Sequence, residues 1–343
     1  MKILVLGQMK DLQTGIYIVQ SIEELGYEAG FVDTRAIVEQ AGLKEGQQII
    51  LDKLDELDFT PDIIMILKGL EMSLDTLKNI KAKYPKAKFI NWFFDVYLAD
   101  KKIWENKEYE ETLNFYDFYF CSLKGVANTL QQYGFKNAIH IGEACYPPLH
   151  GEQYMNNFQE GKYGEDIAFI GSIGMLGIHQ NRVKYLAKII KEGFNIKIWG
   201  SIIGEPKSIP LAVRQHMTND SVINERHSQV CQASLINLGI DQDPALDESW
   251  SARLYRVMCA GGLYLSVATK GLDKYFKINK KDEEITADQD LVVFYDEFDL
   301  IAKLDFLLEH DEIRESIAKN GQKIVLEKHK FTDRLKDIIE KVK

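Results

Sequence analysis

A chain of 343 residues is longer than one hydrophobic core usually organises, so two domains of ordinary size are expected. An apolar fraction of 45%, 27% charged residues, only 7 prolines and the absence of any low-complexity run argue against long disordered segments. The formal charge of −10 argues against a broad electrostatic grip on nucleic acid or anionic lipid, which needs clustered Lys and Arg, and leaves room only for a local basic pocket.

The chain runs directly into Ile3 to Leu6, a continuous apolar stretch stopped by Gly7, which predicts a strand buried on both faces of a parallel sheet. That stretch is too short for the core of a signal peptide, and no later segment approaches the ~20 apolar residues of a membrane span, so a cytoplasmic protein is expected. Apolar Ile16, Val19, Ile22 and Leu25 then recur at helical spacing up to a stop at Gly26. Extended segments follow at Ala29 to Val32, Ile63 to Leu67, Phe89 to Trp92, Phe118 to Cys121 and Ala138 to Ile141, with helices at Leu74 to Tyr84 and Gly125 to Tyr133. This alternation predicts an α/β, doubly wound parallel sheet.

From Pro147 to Gly164 the sequence is polar, rich in turn formers and without periodicity. The chain therefore divides into a domain over 1–150, a linker over 151–164, a second domain over 165–325 and a C-terminal helix over 326–343 that returns to the first domain. In the second domain strands are predicted at Ile167 to Ile170, Ile196 to Trp199, Ser234 to Leu238, Leu263 to Ser266 and Leu291 to Phe294, with a helix at Arg182 to Glu192. The tail, at Leu300 to His310, Glu312 to Glu327 and Asp333 to Lys343, is helical by its three- and four-residue apolar spacing. Cys121, Cys145, Cys231 and Cys259 are far apart, form no C-x-x-C pair and read as reduced thiols.

Two segments carry chemistry. Asp166 to Ser172 ends a strand in small residues, and Gly174, Gly177 and a helix carrying Arg182 follow; unobstructed backbone N–H groups at a helix N-terminus suit a phosphate, and Arg182 adds a charge-assisted bond. The stretch Glu248 to Gly262 reads as a helix with Leu254, Val257 and Met258 towards the core, Ser251 and Arg253 near its start, and Gly261 and Gly262 as its stop. Each also has a plainer reading, a glycine turn for the first and an ordinary amphipathic helix for the second. Asp241 with Asp243, and Asp288 with Asp290, imitate metal-holding carboxylate pairs but supply too few oxygens, so no metal site is assigned. His179, His216 and His227 qualify for ligand contact by position alone.

Taken in order, Asp-Ile-Ala-Phe-Ile-Gly-Ser at 166–172, Arg-Leu-Tyr-Arg-Val-Met-Cys-Ala-Gly-Gly at 253–262 and the run from Ala318 to Leu335 resemble the CgeB-like group of GT-B glycosyltransferases, relatives of the large group-1 family. Asp117 to Ser122 with Gly134 to Asn137 looks like that family's last N-domain strands. The resemblance covers most of 115–335 and implies two Rossmann-like domains facing a central cleft, with C-terminal helices. It implies a glycosyltransferase using a nucleotide-sugar donor, a UDP-sugar favoured, as substrate, with no tightly bound cofactor and no required metal. By the same resemblance Gly171 and Ser172 approach the donor diphosphate, Trp199 and Gly200 flank the base, and Ser251, Arg253, Gly261 and Gly262 contact ribose and phosphate. Gly7 and Gly15 admit phosphate and sugar from the first domain, and Asp95, at the end of Asn91 to Asp95, is the acceptor-side acid. Arg256 stands where many group-1 enzymes carry a ribose-binding glutamate, so a donor-only guanidinium replaces an acceptor-only carboxylate and ribose recognition does not transfer.

The mechanism this implies has Arg253, Arg182 and the amides near Ser172 stabilising the departing diphosphate while Asp95 activates the acceptor. The acceptor is left open among a glycan, a small molecule, a protein and a modified nucleic-acid base. Lysines between Lys78 and Lys88, with Lys101 and Lys102, support the last of these, a phage-type DNA-base transferase. The same fold also accommodates an inactive nucleotide-sugar-binding protein or a sugar-nucleotide epimerase.

Overall fold

Apolar runs flanked by helical segments become strands that bury both faces, and this decides the architecture of each half. The computed structural model describes residues 1–9, 14–95, 111–151, 165–175, 179–218, 220–241 and 244–343. It divides into one unit of Met1–Glu143 with Phe331–Lys343 and a second of Ala144–Lys330.

In the first unit β1 (Lys2–Gly7), β2 (Glu28–Asp33), β3 (Ile63–Leu67), β4 (Lys88–Phe93), β5 (Phe118–Cys121) and β6 (Ala138–His140) form one parallel sheet in the order β2-β1-β3-β4-β5-β6. Every residue of β3 is buried, as are all but the first of β1 and β4. The sequence direction reverses between β1 and β3, the switch point where open α/β sheets bind ligands beyond their strand ends. Helices Thr14–Glu24, Leu74–Lys83 and Lys124–Gln132 lie where periodicity predicts them. Helices Thr34–Ala41 and Leu43–Glu56 have no such prediction: their caps are Asp33, whose carboxylate accepts from the Ala36 N–H, and Gly42. The last helix, Phe331–Val342, packs on Thr14–Glu24 and buries Phe331, Leu335, Ile338 and Ile339. Phe331 sets its ring 5.9 Å from Trp92, and Arg334 Nε donates to the Gly142 and Glu143 carbonyls.

In the second unit β7 (Ile167–Ile170), β8 (Ile173–Gly174), β9 (Ile196–Trp199), β10 (Ile202–Ile203), β11 (Met217–Thr218), β12 (Ile236–Gly239), β13 (Tyr264–Val267) and β14 (Val292–Phe294) are all parallel. β8 and β10 pair with each other; the rest form a sheet in the order β11-β9-β7-β12-β13-β14. Counted within that sheet this is 3-2-1-4-5-6, the dinucleotide-binding order, with its switch point between β7 and β12. The chain enters this unit at Ala144: Cys145 N–H donates to the His329 carbonyl, and Ser228 Oγ to the Leu149 carbonyl. Residues 152–164 of the expected linker lie outside the described residues.

The helix expected over 248–262 is confined to Arg253–Cys259. Upstream, Glu248 takes a left-handed φ of 44° and the Asp241 carboxylate captures the Ser251 N–H, which holds residues before 253 in a loop. Leu254, Val257 and Met258 do face the core. All four cysteines are buried and unbonded to one another, and burial pushes the Cys121 and Cys231 thiols well above the usual range. Among the described residues no helix is long and apolar enough to cross a membrane.

Candidate functional site

At the switch point of the second unit the loops after β7 and β12 are tied together by two arginines. Arg182, the third residue of helix Gln180–Lys191, is buried; its Nε donates to the Ile240 carbonyl at 3.0 Å and its Nη1 to the Ser172 carbonyl at 2.7 Å, with His179 Nδ1 3.2 Å from the same nitrogen. Two nitrogens are thus committed to the protein, and Arg182 braces the two loops. Arg253 opens its helix and donates from Nε to the Ile170 carbonyl at 2.5 Å. Its guanidinium lies across Gly171, where a Cβ would come within 2.6 Å of Nη2, so only glycine lets the cation sit against the backbone there. Arg253 Nη1 is buried with no hydrogen-bond partner among the described residues.

The second strand of the unit closes the other side. Gly171 N–H donates to the Trp199 carbonyl, and Ser172 Oγ is 3.1 Å from Ser201 Oγ. Gly200, at φ 145°, has no room for a side chain, because a Cβ would drive into the Gly171 carbonyl. Gly200→Ala is expected to cost about 1–3 kcal/mol, the range of other strained or overpacked substitutions, lowering the thermal midpoint of the unit by roughly 2–10 °C in a melting experiment. An unchanged midpoint would show that the two loops do not need this close approach.

Asp241 lies beneath the cluster, 2% exposed, with Oδ1 accepting from the Ser251 N–H at 3.1 Å. Burial raises its pKa, opposed first by the positive charge of Arg253. Burial likewise lowers Arg182, to about 10, with Arg253 adding like-charge repulsion. Sequence reasoning gave Asp241 a place in a metal-like pair with Asp243, which lies outside the described residues; its structural place is the counter-charge beneath two arginines. Its distance in sequence from Arg182 is the reason nothing in the pattern revealed it. Asp288 and Asp290 are occupied by Lys277, through its side chain and its backbone N–H respectively. Among the described residues no group of three His, Cys, Asp or Glu stands ready to hold a metal.

Gly171, Ser172, Arg182, Gly200, Ser251 and Arg253 are therefore brought together, with Trp199 joined to them through its backbone carbonyl, while Gly261 and Gly262 are not. Gly262 lies at the opposite, N-terminal end of the strands, where a Cβ on it would meet Asn237 Nδ2 at the start of β12, and Gly261 precedes it. The seven-residue helix Arg253–Cys259 puts about 10 Å of rise between its start and its stop. The Trp199 ring is buried against Ala168, Val222 and Val230, with the Lys197 ammonium 5.2 Å from its centroid. Arg256 lies beside buried His150 and His227, adding its charge to the burial that lowers both, His227 to about 3. Gly177 lies outside the described residues. His216 Nδ1 rests 2.8 Å from the Ala212 carbonyl on an exposed surface.

In the first unit, Gly7 closes β1 at φ 156° against Leu67, where a Cβ would come within 2.7 Å of the Leu67 Cβ. Gly15 sits in the first turn of its helix, where a Cβ would strike the Gln8 carbonyl. Both are thus fixed by packing at the β1/β3 switch point. Asp95 follows β4 and forms an ion pair with Lys68 Nζ at 2.6 Å, with both side chains partly exposed. Lys101 and Lys102 lie outside the described residues.

Three solved structures resemble the chain over its full length. A glycosyltransferase from Rickettsia africae ESF-5 shares 11% identity, covering 99% of this chain and 97% of that one at a TM-score of 0.61. The catalytic domain of starch synthase IV from Arabidopsis thaliana, bound to ADP and acarbose, shares 8% over 99% and 98% at 0.70. A UDP-GlcNAc 2-epimerase from Neisseria meningitidis, bound to UDP-GlcNAc, shares 11% over 100% and 99% at 0.56. Identities this low establish the fold: two Rossmann-like parallel-sheet units of the GT-B class. No curated protein matches by sequence. Residues 182–340 match the family described as glycosyl transferase-like, which supports a transferase enzyme.

Proposed function

We propose that this chain transfers a sugar from a nucleotide-sugar donor, a UDP-sugar first among them, to an acceptor hydroxyl without needing a metal. The observation that carries the reading is the guanidinium of Arg253, a residue within the stretch that matches the glycosyl transferase-like family, laid over Gly171 at the β7/β12 switch point. A cation backed by glycine backbone at the strand ends suits a diphosphate, and its orientation is set in advance by the Ile170 carbonyl. As the bond between the anomeric carbon and the diphosphate oxygen breaks, the electron pair leaves on that oxygen and Arg253 meets the growing charge. Arg182 acts through the loops it braces. The acceptor oxygen forms the new bond to the anomeric carbon and its proton passes to Asp95.

The test is a thermal-shift series with UDP-, GDP-, ADP- and CMP-sugars. A donor at a hundred times its Kd stabilises the native state by about 2.7 kcal/mol, so a rise of roughly 5 °C or more is expected for the matching nucleotide. No rise with any of them at millimolar concentration removes the donor assignment. Conversion of the bound donor to an epimer in the absence of acceptor replaces transfer by epimerisation, a chemistry the same fold supports in the Neisseria enzyme.

A further inference from the structure

The first unit encloses a cavity of about 310 Å³ over β4, roofed by the loop between β3 and helix Leu74–Lys83 and by the segment from Thr112 to Tyr119. Its volume is at the lower end of small-molecule pockets, which run from ~300 to 1,000 Å³. Leu70, Met72, Leu113, Tyr116 and Tyr119 give it an apolar, aromatic wall, the two tyrosine rings meeting edge to face at 5.7 Å. A second cavity of about 180 Å³ shares Leu113, Tyr116 and Tyr119.

The polar groups around the larger cavity are mostly occupied by the protein itself. Glu71 Oε1 accepts from Thr34 Oγ1, Ser73 Oγ caps the helix that follows it, and the Lys68 ammonium is held by Asp95. Asn91 differs. It is 1% exposed, and its Nδ2 donates to the Lys68 carbonyl at 3.0 Å, which fixes the amide's orientation because only the N–H end can satisfy that carbonyl. Its Oδ1 is left buried with no partner among the described residues. An unmet buried acceptor costs about 1–3 kcal/mol, so a ligand bringing a single hydroxyl or N–H to it gains that interaction back. Lys68, at φ 60°, keeps a strained left-handed conformation at the cavity's edge, and Gly69 follows it at φ 74°, where glycine is unstrained.

We propose that this cavity binds the ring body of a flat, hydroxylated aromatic acceptor, with one hydroxyl donating to Asn91 Oδ1 and the Lys68–Asp95 pair beside it. The assignment as acceptor rests on the transferase reading above; the recognition of the ligand does not. A glycan fits poorly, because each sugar ring brings several hydroxyls against a mainly apolar wall, and all but the one that reaches Asn91 would be buried unpaired. In transfer, a second hydroxyl of the aromatic loses its proton to Asp95 as its oxygen takes the anomeric carbon from the diphosphate.

The experiment is calorimetric titration of the full chain, without donor, by 4-methylumbelliferone and other two- and three-ring phenols, by the methyl ether 7-methoxy-4-methylcoumarin, and by maltotriose. At least one phenol binds saturably, the ether of a bound phenol binds at least tenfold more weakly, and maltotriose neither binds nor displaces it. Leu70→Trp, at a position already 46% exposed and therefore tolerant of change, narrows the cavity and weakens phenol binding at least tenfold with the nucleotide-sugar thermal shift unchanged. Equal binding of phenol and ether, displacement by maltotriose, no effect of Leu70→Trp, or no binding by any phenol at millimolar concentration overturns the proposal. Transfer to some other acceptor with no phenol bound leaves the transferase reading standing and ends this one. Binding of a phenol that carries a second hydroxyl, such as 6,7-dihydroxy-4-methylcoumarin, with no glycosylation of it by any sugar nucleotide that raises the melting midpoint does the reverse.

Discussion

Arg253→Ala is expected to lower turnover by about 10²- to 10³-fold, the loss seen when one pre-oriented donor to a developing anion is removed. The thermal shift given by the matching nucleotide-sugar shrinks with it. The substitution also removes the positive charge that most opposes the effect of burial on the Asp241 carboxylate, so stability is expected to fall with it. Activity and stability therefore fall together, and the two losses need separating. Asp241→Asn in the Arg253→Ala background removes the stranded charge, so the double variant is expected to recover most of the melting midpoint and none of the turnover. Recovery of turnover along with stability would reduce Arg253 to a structural brace and withdraw it from the reaction.

Asp95→Asn is the second large effect. An amide keeps the shape and one acceptor oxygen but takes no proton, so kcat for transfer drops by about 10²- to 10⁴-fold, the usual worth of a general base. Because Asp95 belongs to the first unit, the nucleotide-sugar thermal shift of the second stays as it is. Lys68→Met distinguishes a base from a loop cap: it releases Asp95 from its ion pair, and a residue that only caps its loop would then matter to stability and not to kcat. Transfer at the parent rate by Asp95→Asn would leave the acceptor activated by some other group.

What could be read directly in the sequence was set by local pattern. Continuous apolar runs such as Ile63 to Leu67 and Ile167 to Ile170 announce strands buried on both faces, and the observed β3 and β7 have those bounds. The same logic fails for β11, whose two residues, Met217 and Thr218, carry no pattern at all; the strand exists because the edge of β9 accepts it. Without it the 3-2-1-4-5-6 order could not be counted in full. Helices Thr34–Ala41 and Asn224–Ala233 are hidden for a related reason, since the first buries little beyond Thr34 and the second buries polar Asn224, His227, Ser228 and Gln229 with only Val230 and Cys231 beside them. A periodicity of apolar residues cannot report a helix whose buried face is polar.

For the candidate site the division is sharper. The sequence by itself marked out Gly171 as a bare strand end and Arg253 as a cation at a helix start, because glycine in a turn and charge before an amphipathic run are local signals. It also determined an α/β chain with parallel sheets, through the alternation of buried strands and helices. Only the tertiary structure laid Arg253 across Gly171 from far along the chain, slid Asp241 beneath it, and left Gly261 towards the opposite end of the strands. Parallel strands are joined by crossovers, so residues that meet at their ends are separated by whole strand-helix units, and proximity there is a property of strand order that no local stretch of sequence contains.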